Sequence, residues 1–314
     1  MSRLFVGVDT SCYTTSVCCV SEEGIVFERR TMLSVPLGER GLRQSDAVFQ
    51  HVKNLPALVD ALFSAVERRD VAAVAVSAKP TAEEESYLPV FLAGRLTAVS
   101  LAGALGVPLF ETTHQAGHVR AAMFQNESAL PDGDFLALHL SGGTTDVLRV
   151  SREGGPIGKI ERLGGCEDLH AGQFVDRAGV RMGLLFPCGP ELERLANAAE
   201  KCTLKLPSIV RGVTCSLSGP ESAAQRLLDA GEPREEVAYA VYDCLARTIA
   251  KLLTNAMAQT GLTTVVLSGG VSGSVLLREL LQARTGREFL YAQKGLSADN
   301  AAGVALLARD RFSA

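Results

Sequence analysis

The chain has 314 residues, 47% of them apolar and 21% charged, with a formal net charge of −4 and no tryptophan. That length supports two lobes with a substantial core, and the mild acidity argues against a generally basic nucleic-acid surface while leaving room for a local basic patch or a basic partner. No apolar run reaches the ~20 residues of a membrane span, Leu4–Val8 is too short for a signal-peptide core, and none of the eight cysteines forms a Cys-x-x-Cys pair, so a cytoplasmic address with reduced thiols is expected.

In chain order, Phe5 to Val20 reads as strand, tight polar turn and strand, followed after Glu22-Glu23-Gly24 by a third strand. Gln44 to Arg68 reads as a helix, with Val48, Val52, Leu55, Leu58, Leu62 and Val66 at three- and four-residue spacing. That stripe suits either core or a partner interface, and core is expected. Val71 to Ser77 is a buried strand, Leu88 to Leu105 a helix and Pro108 to Glu111 a short strand. Between them Glu83-Glu84-Glu85 reads as a solvated loop, with a cleft-facing acidic loop as the alternative. Phe135 to Val150 is a second hairpin. Helices follow at Gln173–Met182, Pro190–Ala199, Pro220–Ala230 and Glu235–Thr260. Thr263 to Leu267 is a strand running into Ser268-Gly269-Gly270, and helices at Ser274–Gln282 and Asn300–Phe312 complete the chain. Strands alternating with helices imply largely parallel sheets covered on both faces.

The chain repeats itself. With Phe5 laid over Phe135, the segments Phe5–Val20 and Phe135–Val150 share Phe, Ser, Thr, Thr, Val and Val without a gap. The turns carry Ser11, Thr14 and Thr15 in one copy and Ser141, Gly142, Gly143, Thr144 and Thr145 in the other. Hydroxyls and free backbone N–H groups of this kind make a nest for phosphate oxygens, and glycine allows close approach. The Gly-Gly turn is the stronger candidate, because Tyr13 is bulky. Two such hairpins across a cleft resemble the phosphate grip of the actin/sugar-kinase/Hsp70 (ribonuclease H-like) fold. The expected class is therefore α/β with duplicated lobes: residues 1–110, completed by the C-terminal helix 300–314, and residues 111–299 with a helical insertion.

His114 and His118 lie four apart, a spacing that puts two imidazoles on one helical face. The pair lacks the glutamate of a zinc-protease His-Glu-x-x-His motif. Asp299, before the last helix, is a candidate third ligand or simply that helix's N-cap. Two histidines and a carboxylate with open positions suit iron(II) or zinc.

Together these motifs resemble one family. Asp9-Thr10-Ser11-Cys12, His114-x-x-Gly117-His118, Leu140-Ser-Gly-Gly-Thr144, Gly172-x-x-x-Asp176, Phe186-Pro-Cys-Gly-Pro190, Leu267-Ser-Gly-Gly-Val-Ser272 and Ala298-Asp-Asn-Ala-Ala302 occur in order. They are similar to the catalytic subunit of tRNA threonylcarbamoyladenosine synthesis, long labelled O-sialoglycoprotein endopeptidase, from about Leu4 to Arg309. The resemblance implies one divalent metal, iron(II) or zinc, on His114, His118 and Asp299. It implies an adenine nucleotide or acyl adenylate held by Ser141, Gly142, Gly143 and Thr144, with Asp176 on the ribose and Gly189 under the nucleoside. Gly269 and Gly270 match the turn beside the nucleotide, and Ser274 the nucleoside contact. It further implies transfer of a threonylcarbamoyl group to tRNA adenosine, and partner subunits docking on the first lobe.

The departures cluster at the substrate. Asp9 stands for a glutamate, Tyr13 and Thr14 for two acids, Thr144 for a histidine, Gln173 for a glutamate and Ser274 for an asparagine. Lys79–Tyr87 and Cys215–Pro220 replace two further family segments. Three readings therefore stay open: transfer to tRNA, transfer to another acceptor, or a nucleotide-responsive binding subunit without turnover.

Overall fold

A computed structural model describes residues 3–11, 13–201 and 203–313. Cys12, in the first turn, and Cys202 lie outside the described residues; the other six cysteines are free and buried.

Strands β1 (Leu4–Thr10), β2 (Thr14–Val20) and β3 (Ile25–Met32) form an antiparallel meander, followed by α1 (Gln44–Ala65), β4 (Val71–Lys79), α2 (Phe91–Leu105) and β5 (Leu109–Thr113). β4 pairs parallel with β1 and β5 parallel with β4, giving the order β3-β2-β1-β4-β5. Every residue of β1 and β2 is buried, as befits strands covered on both faces.

After α3 (His114–Met123) the same plan restarts with β6 (Phe135–Leu140), β7 (Thr145–Ser151) and β8 (Lys159–Cys166). An insertion follows: α4 (Ala171–Arg181), α5 (Gly189–Ala196), the hairpin β9 (Ile209–Arg211) and β10 (Thr214–Ser216), and α6 (Ser218–Asp229). Then come α7 (Arg234–Thr260), β11 (Val265–Ser268), α8 (Val275–Thr285), β12 (Leu290–Tyr291) and α9 (Ala302–Ser313). The second sheet runs β12-β11-β6-β7-β8-β10-β9. Its part β8-β7-β6-β11-β12 repeats the first sheet, with parallel pairing from β6 to β12. The hairpin repeat also holds in register: Phe5 faces Val20 and Thr10 faces Thr15, just as Phe135 faces Val150 and Leu140 faces Thr145.

The two sheets are joined through their helices. α9 packs on β1, β2 and β4 of the first sheet, while α3 packs on α9 and on β11 of the second. One core runs through this seam, including Phe5, Ala75, Phe135, Val266, Val304 and Leu306. Glycine permits the approach. A Cβ on Gly303 would lie 1.8 Å from the Gly117 carbonyl oxygen, and one on Gly7 would lie 2.5 Å from the Ala301 carbonyl oxygen. α3, α9 and β1 therefore meet backbone to backbone, which brings the segments before both helices together.

Two expectations change. On α1 the buried face runs through Ala47, His51, Leu55, Leu58 and Leu62, so Val52 falls beside it and is 53% exposed. β9, β10 and β12 are too short for periodicity to reveal; pairing with β8 and β11 creates them. Among the described residues no helix is long and apolar enough to cross a membrane.

Candidate metal centre and nucleotide cleft

Thr113 ends β5 and caps α3, its hydroxyl accepting the Ala116 N–H at 3.1 Å. His114 is thus the first helical residue and His118 sits one turn on. Their Nε2 atoms are 3.1 Å apart, and Asp299 Oδ1 lies 3.2 Å from His118 Nε2 and 3.6 Å from His114 Nε2. The capping role open to Asp299 goes to its neighbour: Asn300 Oδ1 accepts the Ala302 N–H at 2.9 Å. Asp299 is therefore left to the histidines.

These three form the one group of ligand-type side chains within 4.8 Å of one another among the described residues. Two imidazole nitrogens facing at hydrogen-bond distance need a cation or a proton between their lone pairs. A carboxylate beside them makes the donor set fit a divalent ion. The electrostatics point the same way. Burial alone would keep His114 neutral, yet Asp9 and Asp299 outweigh it and push its pKa up to about 10. Burial would likewise raise Asp299, but His114 and His118 hold it well below the usual carboxylate range. The pocket calls for positive charge, and a metal ion can supply it in place of protons.

Two supporting residues were not legible as such in the sequence. The buried Asp9 carboxylate lies 2.9 Å from His114 Nδ1, the arrangement that fixes which ring nitrogen faces a metal. Ser11 Oγ donates to Asp299 Oδ2 at 2.7 Å. The first turn also has a role that its sequence did not suggest. Ser11 serves Asp299, and Thr15 Oγ1 pairs with His51 Nδ1 at 2.8 Å, so these hydroxyls help hold the site together. The signal available was position alone, since Asp9 lies near the end of β1 and Ser11 just after it.

The remaining histidines do not join the group. His51 Nε2 donates to the Ser11 carbonyl at 2.8 Å. His139 is buried behind His118, ring centroids 4.8 Å apart, with Nδ1 2.9 Å from Thr144 Oγ1. Burial and the two neighbouring imidazoles hold it neutral. His170 precedes α4, its N–H donating to Gln173 Oε1 at 3.1 Å.

The second turn keeps an open face. Ser141 Oγ accepts the N–H groups of Gly143 and Thr144 at 3.2 and 3.1 Å, folding the loop on itself. The start of α4 presses against it: the Gly172 N–H donates to the Ser141 carbonyl at 3.0 Å, and a Cβ there would lie 2.6 Å from the Gly142 nitrogen. Gly142, Gly143, Gly189 and Gly270 face free space where a side chain would be. Gly269 is different, with φ of 87° and a prospective Cβ 2.3 Å from the Leu140 carbonyl oxygen, so β6 itself requires that glycine. Ser274 caps α8 by accepting the Leu277 N–H at 3.1 Å. Asp176 Oδ1 accepts the Cys188 N–H at 2.8 Å, and burial pushes its pKa up to about 6.

Between these groups lies a cavity of about 90 Å³ lined by Tyr13, Arg40, Gly142, Gln173, Asp176 and Phe186, among others. It is narrow because the Tyr13 ring of the first lobe meets the Phe186 ring of the second at 4.8 Å. The acidic loop is exposed at Glu83, Glu84 and Glu85, and Glu83 adds to the field on Arg162 of the second sheet. Arg162 Nε donates to Asp146 Oδ1 at 2.8 Å and Gln115 Nε2 to Asp146 Oδ2 at 2.9 Å, which ties α3 to the second sheet.

A sequence model of the tRNA N6-adenosine threonylcarbamoyltransferase (TsaD) family matches residues 38–306. A tRNA N6-adenosine threonylcarbamoyltransferase of Archaeoglobus fulgidus is 30% identical over 303 residues, covering 96% of this chain and 88% of the relative. One from Thermus thermophilus is 33% identical over 310 residues, covering 96% and 91%. Among solved structures, component A of (R)-2-hydroxyglutaryl-CoA dehydratase from Acidaminococcus fermentans superposes with a TM-score of 0.59 at 16% identity, covering all of both chains. HypF of T. kodakarensis gives 0.63 at 15% identity over 98% of this chain and 47% of that one. A ROK family glucokinase from Streptomyces griseus gives 0.53 at 16% identity over 98% and 99%. At such identities the likeness is one of fold: duplicated, actin-like and sugar-kinase-like lobes.

Proposed function

Because the chain belongs to the tRNA N6-adenosine threonylcarbamoyltransferase family, we propose that it transfers a threonylcarbamoyl or related carbamoyl group from an acyl adenylate to an adenosine amino group of tRNA. The observation that carries this reading is the convergence of His114, His118 and Asp299 in the cleft, with Asp9 and Ser11 behind them. A divalent ion held there, iron(II) or zinc, supplies Lewis acidity and a template for substrate oxygens. Asp9 fixes the His114 ring, and Ser11 fixes the second oxygen of Asp299. Three of the four Ser141–Thr144 N–H groups bond within the loop, so the Gly142 N–H and the space beside Gly142 and Gly143 are what the turn offers the adenylate phosphate, and Asp176 accepts a ribose hydroxyl. Gly142, Gly189 and Gly270 leave room for the nucleotide. Action on tRNA implies a cytoplasmic location.

Nucleoside analysis of tRNA from a deletion strain tests the acceptor: loss of the modified adenosine is expected, and unchanged modification would direct the search to another acceptor. The narrow Tyr13–Phe186 cavity favours a second reading, a nucleotide-responsive subunit without turnover. Adenylate turnover by the purified protein with its partners would refute it.

A partner surface on the first lobe fits the exposed apolar side chains Phe49 and Val52 on α1 and Leu92, Leu96 and Val99 on α2. The two helices pack side by side. A monodisperse monomer at high concentration, with no partner recovered from cells, would count against it.

A further inference from the structure

On the outer face of the second lobe, α7, the β9 segment and the end of α8 enclose an open groove of about 630 Å³. Lys251, Arg284 and Arg287 line it, together with Thr254, Asn255 and Thr285, and no carboxylate is among the lining residues. One lining cation, Arg284, shares a buried acid with two cations outside the lining. Asp243 takes Arg247 at 2.8 Å and Lys205 at 3.5 Å, and also pairs with Arg284. A single carboxylate against three cations leaves surplus positive charge on a chain whose net charge is −4. Arg247 is also anchored to the Leu206 carbonyl at 2.8 Å, so the cluster that holds Arg284 is itself fixed.

We propose that this groove binds the sugar–phosphate backbone of RNA. Three lining cations, together with hydroxyl and amide groups, suit phosphates and riboses. None of the lining residues is aromatic, so the groove offers no platform for stacking unpaired bases. That composition favours the backbone of a duplex stem read by charge over a single strand read by its bases. The placement fits an acceptor that must also reach the cleft. α8 runs from Ser274, beside Gly269 and Gly270, to Thr285 at the groove, a rise of roughly 16 Å. A stem lying on the groove is thus about one short helix away from the nucleotide turn. The proposal rests on the tRNA reading above for its choice of polyanion.

The test uses the full chain and a tRNA transcript, with affinity measured by fluorescence anisotropy across a salt series. Lys251→Glu with Arg287→Glu changes two exposed side chains outside the Asp243 cluster, and the neutral pair Lys251→Gln with Arg287→Gln guards against misfolding. Arg68→Glu with Arg69→Glu makes the same change in net charge on the first lobe. The groove variants should bind the transcript at least tenfold more weakly, with a log–log salt slope shallower by about 2. The first-lobe variant should stay within twofold of the parent, and adenine-nucleotide binding should be unchanged in all. Parent-like affinity in the groove variants, or equal losses in the groove and first-lobe variants, overturns the proposal, as does a parent chain that binds no transcript. Failure of the acceptor reading shows separately, as unchanged modified-adenosine content in the deletion strain despite groove-dependent RNA binding.

Discussion

Gly303→Ala should damage both the stability and the metal affinity of this protein. The new Cβ would sit 1.8 Å from the Gly117 carbonyl oxygen, 2.7 Å from its carbon and 2.9 Å from the Ala121 nitrogen. All three are backbone atoms, so relief requires α9 and α3 to part by more than about 1 Å to restore ordinary contact. Overpacking of this kind costs about 1–3 kcal/mol, and the melting temperature should fall by roughly 2–4 °C for each kcal/mol. The same displacement carries Asp299, four residues before Gly303, away from His114 and His118 on α3. Metal sites tolerate only about 0.2 Å of ligand error, so zinc affinity measured by chelator competition should drop at least tenfold. Gly103→Ala is the control. It is also a helical glycine, on α2, but nothing lies within 4 Å of its prospective Cβ, and alanine there should be neutral or stabilise by up to about 1 kcal/mol. If Gly303→Ala melts with the parent and holds zinc equally well, the helix crossing does not set the site, and the account of how the ligands converge is wrong.

Further outcomes follow from the same geometry. His118→Ala and Asp299→Ala should each abolish stoichiometric metal by elemental analysis, whereas His170→Ala should retain it; metal retained in both of the first two would return the group to ordinary polar side chains. Asp9→Asn should weaken metal binding about 10–100-fold by removing the charged partner of His114 Nδ1, measured by the same competition assay. Asp176 has a folded pKa of about 6, above the unfolded carboxylate value. The folded state therefore binds the extra proton, and stability is lost as pH rises from about 4 through 6. Asp176→Asn should accordingly stabilise the nucleotide-free protein at pH 8 by about 1–3 kcal/mol, read as a higher melting temperature, and should not do so at pH 3.5. The same variant should bind adenine nucleotides more weakly, and a parent-like melting profile at both pH values would refute the burial argument. Tyr13→Ala should widen the cleft by freeing Phe186 and increase nucleotide affinity in calorimetry; an unchanged affinity would mean that the aromatic contact does not restrict entry.

The sequence by itself determined a good deal. The overlay of Phe5–Val20 on Phe135–Val150 carried the duplicated topology, because a strand register is local and a side-chain period of two survives divergence. The two-His spacing carried half of the proposed metal site, because a helix places residues four apart on one face whatever surrounds it. α7 was legible to within a residue from its periodicity, whereas α1 stops at Ala65, three residues short of the expected Arg68. Only the tertiary structure decided the rest. Local pattern left Asp299 open as a cap or a ligand; in the fold Asn300 accepts the Ala302 N–H, and the Gly117–Gly303 crossing sets Asp299 against His114 and His118. Asp9 and Ser11 gained their roles from the same approach, 105 and 288 residues away from the groups they hold. Tyr13 against Phe186, and the cations around Asp243, likewise join segments far apart in sequence. Such pairings depend on how close two backbones can come, a property of three-dimensional packing that no single stretch of sequence encodes.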